Sequence, residues 1–116
     1  MKKNNKNAEN YLEKVPLRKE TISWTTDSEG KVTLEIENKG LFNRMAQKFF
    51  KKPKVSFIHL DEMGSFVWPV INGEMNLTAI AGLVDEHFGE SAHPLYERLA
   101  KYFQILDSYG FIEWKK

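Results

Sequence analysis

The spacing of apolar residues in this chain of 116 residues predicts first strands and then helices. Between residues 18 and 38, apolar and polar residues alternate on both sides of the polar stretch Asp27 to Gly30. A period of two is typical of half-buried strands, and the sequence Asp-Ser-Glu-Gly is typical of a turn. This part of the chain is therefore predicted to be a β-hairpin, with Trp24 as a core residue. The apolar members of the pattern are Ile22, Trp24, Val32, Leu34 and Ile36.

Residues 54 to 59 form a further strand-like run, and from residue 61 the apolar period lengthens to three or four residues. Asp61 is placed to cap a first helix, because its carboxylate can accept from the unpaired N–H groups of the first turn. Pro69 falls inside this helix and should kink or shorten it, since proline has no N–H to donate. The apolar stripe consists of Met63, Phe66, Val67, Val70 and Ile71.

Two more helices and a closing strand follow in the pattern. Asn76 is predicted to cap the second helix and Gly89 to end it, and the third helix is predicted to start near Pro94. Residues 111–114 alternate and are predicted to form a short strand at the edge of a sheet. The whole order predicts an α+β fold, a winged helix-turn-helix with an N-terminal three-stranded antiparallel sheet and three helices. The buried face predicted for the third helix is Leu95, Leu99, Tyr102, Phe103, Leu106 and Tyr109.

Two segments do not fit this pattern. Residues 1–14 are rich in lysine and asparagine and are predicted to be a flexible basic tail, which leaves residues 15–116 as a single domain. Residues 41–53 are interpreted as an insertion that forms a basic amphipathic helix. In one interpretation the apolar face of this helix covers the sheet and the cations remain in water. In the other, the helix binds a partner, an anionic peptide, a membrane surface or nucleic acid. The cations proposed as a partner surface are Arg44, Lys48, Lys51 and Lys52.

Composition narrows the classes of function. The formal net charge is only +1, and the absence of cysteine excludes a disulfide scaffold and thiolate chemistry. No apolar run reaches the roughly 20 residues that cross a bilayer, and no apolar stretch follows the lysine-rich start as in a signal peptide. The expectation is a cytoplasmic protein.

No group of residues in the sequence looks catalytic. His59, Asp61 and Ser65 are neighbours in sequence, whereas the members of a nucleophilic triad converge from different elements. His87 and His93 do not have a known zinc spacing, and the isolated glycines form no phosphate-binding loop. We therefore expect no enzyme activity, no metal and no cofactor.

One phrase of the sequence carries a resemblance to a known family. The phrase resembles the PqqD-like family of peptide chaperones over about residues 54–114, and more weakly over residues 18–38. The resemblance implies a peptide-binding adaptor that captures the leader of a ribosomally made precursor peptide by strand addition. It further implies that the adaptor presents this peptide to a separate modifying enzyme, commonly a radical SAM enzyme with an iron–sulfur cluster. The residues that carry the resemblance are Leu60-Asp61-Glu62, Gly64, Phe66-Val67-Trp68, Ile71-Asn72-Gly73, Leu106 and Gly110-Phe111-Ile112.

The resemblance also implies a peptide site between the third strand and the third helix. Its strand would be Lys54, Val55, Ser56, Phe57, Ile58 and His59, and its helix wall Arg98, Tyr102, Ile105 and Tyr109. The opposite flank of the helix carries Tyr96, Ala100 and Phe103, and the sequence leaves open which flank faces the peptide. Proline at Ser56 is expected to remove an N–H donor and abolish binding, whereas alanine keeps the donor.

The alternative function is a winged-helix transcriptional regulator that binds DNA, because three helices and a hairpin serve both classes. A DNA-reading helix needs a basic face. The third helix is instead neutral, since its charged residues include Glu97, Arg98, Lys101 and Asp107. A small enzyme is the third hypothesis.

Overall fold

The computed structural model describes residues 11–37 and 55–115. The predicted insertion 41–53, Lys54 and the first ten residues lie outside this part of the chain. The α+β class is confirmed, with a three-stranded antiparallel sheet among the described residues. In chain order the elements are β1 (Pro16–Arg18), β2 (Ser23–Thr26), β3 (Val32–Glu37), β4 (Val55–His59), α1 (Glu62–Val67), a 3-10 turn (Trp68–Val70), α2 (Leu77–Phe88), a second 3-10 turn (Gly89–Ala92), α3 (Leu95–Ser108) and β5 (Ile112–Trp114).

Strands β2 and β3 form the predicted hairpin, and β4 pairs with the other side of β3. The carboxylate of Asp27 accepts from the N–H groups of Glu29 at 2.8 Å and Lys31 at 2.9 Å, which shapes the turn. These bonds, first that of Lys31, hold the pKa of the Asp27 carboxyl below its usual range. Trp24 is half-buried: it packs against the core, and the Arg18 guanidinium lies 5.3 Å from its ring centre.

The closing strand lies at the edge of a sheet, as predicted, but this sheet is not the one that contains the hairpin. β5 pairs antiparallel with β1 in a separate two-stranded sheet and does not extend the sheet of β2, β3 and β4. Three-residue strands carry too little alternation to reveal a partner that is almost a hundred residues away. The N-terminal segment is also held by α2, since Lys14 C=O accepts from Leu77 N–H at 3.1 Å and Leu12 C=O accepts from the Thr78 hydroxyl at 3.2 Å.

Helix α1 is short for the reason that the sequence indicated. Asp61 caps it, with a carboxylate oxygen 2.7 Å from Gly64 N, and the α-helical geometry ends at Val67, two residues before Pro69. The following carbonyl groups are satisfied from another element. Nη1 of Arg18 donates to Pro69 C=O at 2.8 Å, and also lies within 3.2 Å of two neighbouring carbonyls. β1 is thereby fixed to the end of α1.

Helices α2 and α3 begin and end close to the predicted residues. Asn76 caps α2 through Ala79 N–H at 2.8 Å, and Gly89 ends it with a φ of 61°. Tyr109 is a correction to the buried face of α3: the helix ends at Ser108, and Tyr109 is 69% exposed against Phe111. The buried residues on α3 are Leu99, Phe103 and Leu106, and the largest fully buried side chain is Trp68.

The sheet and the helices are joined by a buried hydroxyl group. The Ser65 hydroxyl accepts from Val32 N–H at 2.8 Å and donates to Leu60 C=O at 3.3 Å. Ser65 is the one buried polar side chain in the described ranges, and it lies in α1. The hydroxyl therefore connects the start of β3 and the end of β4 to the first helix.

We expect Ser65→Ala to lower the free energy of unfolding by about 1–3 kcal/mol, because it leaves the Val32 N–H buried without a partner. Ser108→Ala is the matched control: its exposed hydroxyl bonds only a carbonyl of its own helix, so its effect should stay within about 0.5 kcal/mol. Denaturant unfolding followed by circular dichroism measures both. Equal effects of the two variants would show that the Ser65 bridge does not hold the sheet to the helix.

Candidate functional site

Strand β4 lies at an edge of the three-stranded sheet, and within residues 11–37 and 55–115 its sheet partner is β3. An edge strand directs every second pair of backbone N–H and C=O groups away from its neighbour. Such groups can bond a further extended chain. The question is which residues of β4 carry them.

The register of the sheet answers this question. Leu60 N–H donates to Val32 C=O at 2.9 Å, and these two residues lie opposite each other. Hydrogen-bonded and non-bonded pairs alternate along an antiparallel ladder. The next bonded pairs are therefore Ile58 with Leu34 and Ser56 with Ile36. It follows that the backbone groups of three residues point away from β3, namely those of Val55, Phe57 and His59.

This alternation corrects the test that the sequence suggested for Ser56. Its N–H faces β3, so proline at this position would damage the sheet itself and would not report on a peptide. Phe57 is the central outward position. The sequence identified the strand but not the alternation, because the alternation depends on pairing with a distant strand.

The side chains of β4 point to two different faces. Ile58 packs against the hydrophobic core. Phe57 is 60% exposed on the other face. His59 is also exposed there, and its Nδ1 is hydrogen-bonded to Thr33 Oγ1 at 2.9 Å. Lys54 lies outside the described residues.

Three of the four residues predicted for the helix wall are brought together in one groove. Arg98, Tyr102 and Ile105 line a groove of about 360 Å³ with three residues that were not predicted for it, Asp61, Met63 and Lys101. Asp61 and Met63 follow the end of β4 within four residues, so the groove begins where the strand ends. Helical spacing from Arg98 could have indicated Lys101. No local signal assigned Met63 and Asp61 to this surface.

The two flanks of α3 have different surroundings. Arg98, Tyr102 and Ile105 share the groove, whereas Phe103 of the opposite flank is fully buried and Tyr96 is 52% exposed. Tyr109, beyond the end of α3, does not line the groove. A second groove of about 410 Å³ adjoins the first and shares Asp61, Met63 and Arg98 with it.

Tyr102 is anchored between α1 and α3. Its hydroxyl donates to Gly64 C=O at 3.0 Å. A Cβ atom on Gly64 would lie only 3.0 Å from Tyr102 Cε1, so glycine allows this close contact. Burial raises the pKa of Tyr102 well above its usual value, and the Asp61 carboxylate adds to this shift. The phenol is therefore a neutral part of the groove wall.

The cations predicted to form a partner surface, Arg44, Lys48, Lys51 and Lys52, lie outside the described residues. Within the part of the chain that the structure describes, no three or more His, Cys, Asp or Glu side chains form a group that could hold a metal ion. His87 stacks on Phe66 with ring centres 4.3 Å apart, and His93 bonds Asp85 at 3.0 Å.

The residues considered for a triad all have structural partners. His59 bonds Thr33, Asp61 caps α1, and Ser65 bridges the sheet and the helix. In the described ranges, no helix is both long enough and apolar enough to span a membrane.

The fold and the site define a small α+β protein with a sheet edge next to a helix-lined groove. A family model described as Coenzyme PQQ synthesis protein D (PqqD) matches residues 43–112. This span covers more than half of the chain, so the protein belongs to the PqqD family, a family of recognition elements for ribosomally made, modified peptides. The family suggests a peptide-binding, non-catalytic accessory role. No curated protein and no solved structure matches the chain.

The raised pKa of Tyr102 leads to a prediction about alkaline stability. The folded pKa lies above the unfolded value of 10.0, so the stabilisation by the neutral phenol is present below about pH 10 and is lost as the pH rises further. Tyr102→Phe should therefore reduce the fall in unfolding free energy between pH 8.5 and about pH 11.

The control for this prediction is Tyr109→Phe, which changes a surface ring and should keep the slope of the parent. Urea unfolding at a series of pH values gives the slope for each protein. Parallel curves for the parent and Tyr102→Phe would contradict the buried, neutral assignment.

Proposed function

We propose that this protein is a peptide-binding adaptor. It captures the leader part of a ribosomally made precursor peptide by strand addition to β4 and presents it, in the cytoplasm, to a separate modifying enzyme. The observation that carries the proposal is the set of outward backbone groups on Val55, Phe57 and His59, next to the groove of α1 and α3. Membership of the PqqD family supports the same function.

The backbone supplies the general part of the affinity. An extended peptide that lies along β4 can exchange hydrogen bonds with the outward N–H and C=O groups, as in other cases of strand addition. These bonds do not depend on the side chains of the peptide. The geometry therefore accepts many sequences, and selectivity has to come from the side chains on either side of the new strand.

The groove supplies a first source of selectivity. Ile105 offers most of the apolar surface, since it is 46% exposed, whereas Met63 is buried, with only 8% exposed, and forms the floor. Arg98 and Lys101 add two cations, whereas the Asp61 carboxylate already accepts from Gly64 N–H. A peptide side chain that points from the strand towards the helices would meet an apolar surface with a positive rim. This surface suits an aliphatic residue with an acidic residue two positions away, because residues two apart in a strand share a face.

In this proposal the adaptor binds the precursor peptide, and a separate partner enzyme modifies it. Strand addition binds one stretch of the precursor, so the rest of the peptide stays available to a modifying enzyme. We propose a radical SAM enzyme as this partner and the cations Arg44, Lys48, Lys51 and Lys52 as its contact surface. The proposal for the partner rests on the family and on the charge pattern of the sequence.

Hydrogen exchange is the first test of strand addition. Suitable probes are peptides of about twelve residues, selected from a random display library on the immobilised protein, because a strand needs five or six residues. In the free protein the Ile58 amide, which faces β3, should exchange slowly, and the outward amides of Val55 and Phe57 should exchange fast. A bound peptide should slow exchange of the outward amides by about tenfold or more. Slower exchange confined to α2 would contradict the proposed face.

A proline variant separates the backbone contribution from that of the side chain. Phe57→Pro removes an outward N–H, and edge strands tolerate proline where the N–H faces solvent. Phe57→Ala removes the same ring but keeps the donor. We expect the proline variant to bind the selected peptides about tenfold more weakly than the alanine variant, since a backbone hydrogen bond and its geometry are lost.

The fold of both variants is verified by circular dichroism, and calorimetry gives the affinities. Ser56→Pro is the contrasting variant: its N–H faces β3, so it should lower the thermal midpoint of the domain. Equal peptide affinities of Phe57→Pro and Phe57→Ala would rule out strand addition at β4.

A further inference from the structure

The three-stranded sheet has an outer face, on the side opposite to the core and the groove. On this outer face, which points away from the core, β2 and β3 carry polar side chains. Phe57 stands out from them as a large apolar side chain that is 60% exposed. It is absent from the partly buried apolar residues that pack against the core. The polar side chains of β2 and β3 on this face are Ser23, Thr25, Thr33, Glu35 and Glu37.

A single exposed aromatic residue on a surface needs no explanation. Phe57, however, also carries the central outward N–H and C=O groups of β4. A strand added to this edge, in either direction, places one residue directly across from Phe57 with its side chain on the same face. The same residue thus offers both a backbone pair and an exposed ring to the incoming chain.

The charges on the two faces are opposite. Glu35 is the cross-strand neighbour of Phe57, and Glu37 is that of Val55. The charged groups next to these two residues on the outer face are therefore carboxylates. The groove on the helix side carries Arg98 and Lys101. An added strand alternates its side chains between these two environments. Acidic side chains are therefore disfavoured on the outer face and favoured on the groove face.

We propose that Phe57 is a specificity-determining residue: the bound peptide carries an aromatic or β-branched residue directly across from it, with basic or neutral residues two positions away on the same face. This inference rests on the proposed strand addition and names the substrate class in more detail. Cross-strand pairs of this kind stabilise sheets, and an aromatic ring buries a large apolar area in such a pair.

The test compares peptide libraries selected on the parent and on Phe57→Thr. Threonine keeps the backbone N–H and the strand propensity but removes the ring. Peptides selected on the parent should share one position rich in aromatic or β-branched residues, with acidic residues depleted two positions to either side. Selection on Phe57→Thr should weaken the enrichment in aromatic and β-branched residues, because the ring contact is lost, and the peptides selected on the parent should bind this variant more weakly, by up to about tenfold.

Tyr96→Gln is the matched control, because it removes a ring that is 52% exposed on the other flank of α3. It should change neither the affinity nor the preference. If Phe57→Thr selects the same residues with the same affinity while Phe57→Pro still binds more weakly than Phe57→Ala, the inference is wrong and strand addition stands. If no peptide distinguishes Phe57→Pro from Phe57→Ala, both the proposed function and this inference fail.

Discussion

The position of the candidate site depends on the buried hydroxyl of Ser65. Because it accepts from Val32 N–H and donates to Leu60 C=O, it occupies the place of a sheet hydrogen bond at the point where β4 leaves the ladder. A buried N–H without a partner is costly, so the first turns of α1 cannot move away from the sheet without loss of stability. From α1 the constraint continues to α3, since Tyr102 donates to Gly64 C=O. The sheet edge and the groove wall are thus held together through three hydrogen bonds and one glycine.

Local features of the fold could be predicted from the sequence because local chemistry determines them. Asp61 and Asn76 cap helices wherever those helices pack, and Pro69 interrupts helical hydrogen bonding in any context. Long-range features could not be predicted in this way. The partner of β5 is a three-residue strand near the other end of the chain, and Tyr109 is exposed because α3 ends one residue earlier. Neither fact leaves a periodic signal in the sequence.

The candidate site shows the same division. Arg98, Tyr102 and Ile105 were grouped by helical spacing and by resemblance, and they do share a groove. The outward alternation of β4 could not be found in this way, because a shift of one residue in pairing with β3 would exchange the roles of Ser56 and Phe57. For a strand-addition site this distinction decides which residues can bond a peptide. The proposed strand addition therefore depends on the register, which the bond between Leu60 and Val32 defines.

The family match begins at residue 43, yet the geometry of the site depends on residues before it. β3 provides the hydrogen-bonding partner that makes β4 an edge strand with Phe57 facing outward. Arg18 of β1 bonds the carbonyls after α1, where Pro69 has ended the helix, and its guanidinium also lies over Trp24 of the hairpin. β1 thus supports the C-terminal end of α1, and β3 is bonded to the helix through Ser65. In physical terms the recognition element consists of the matched region together with the strands that precede it.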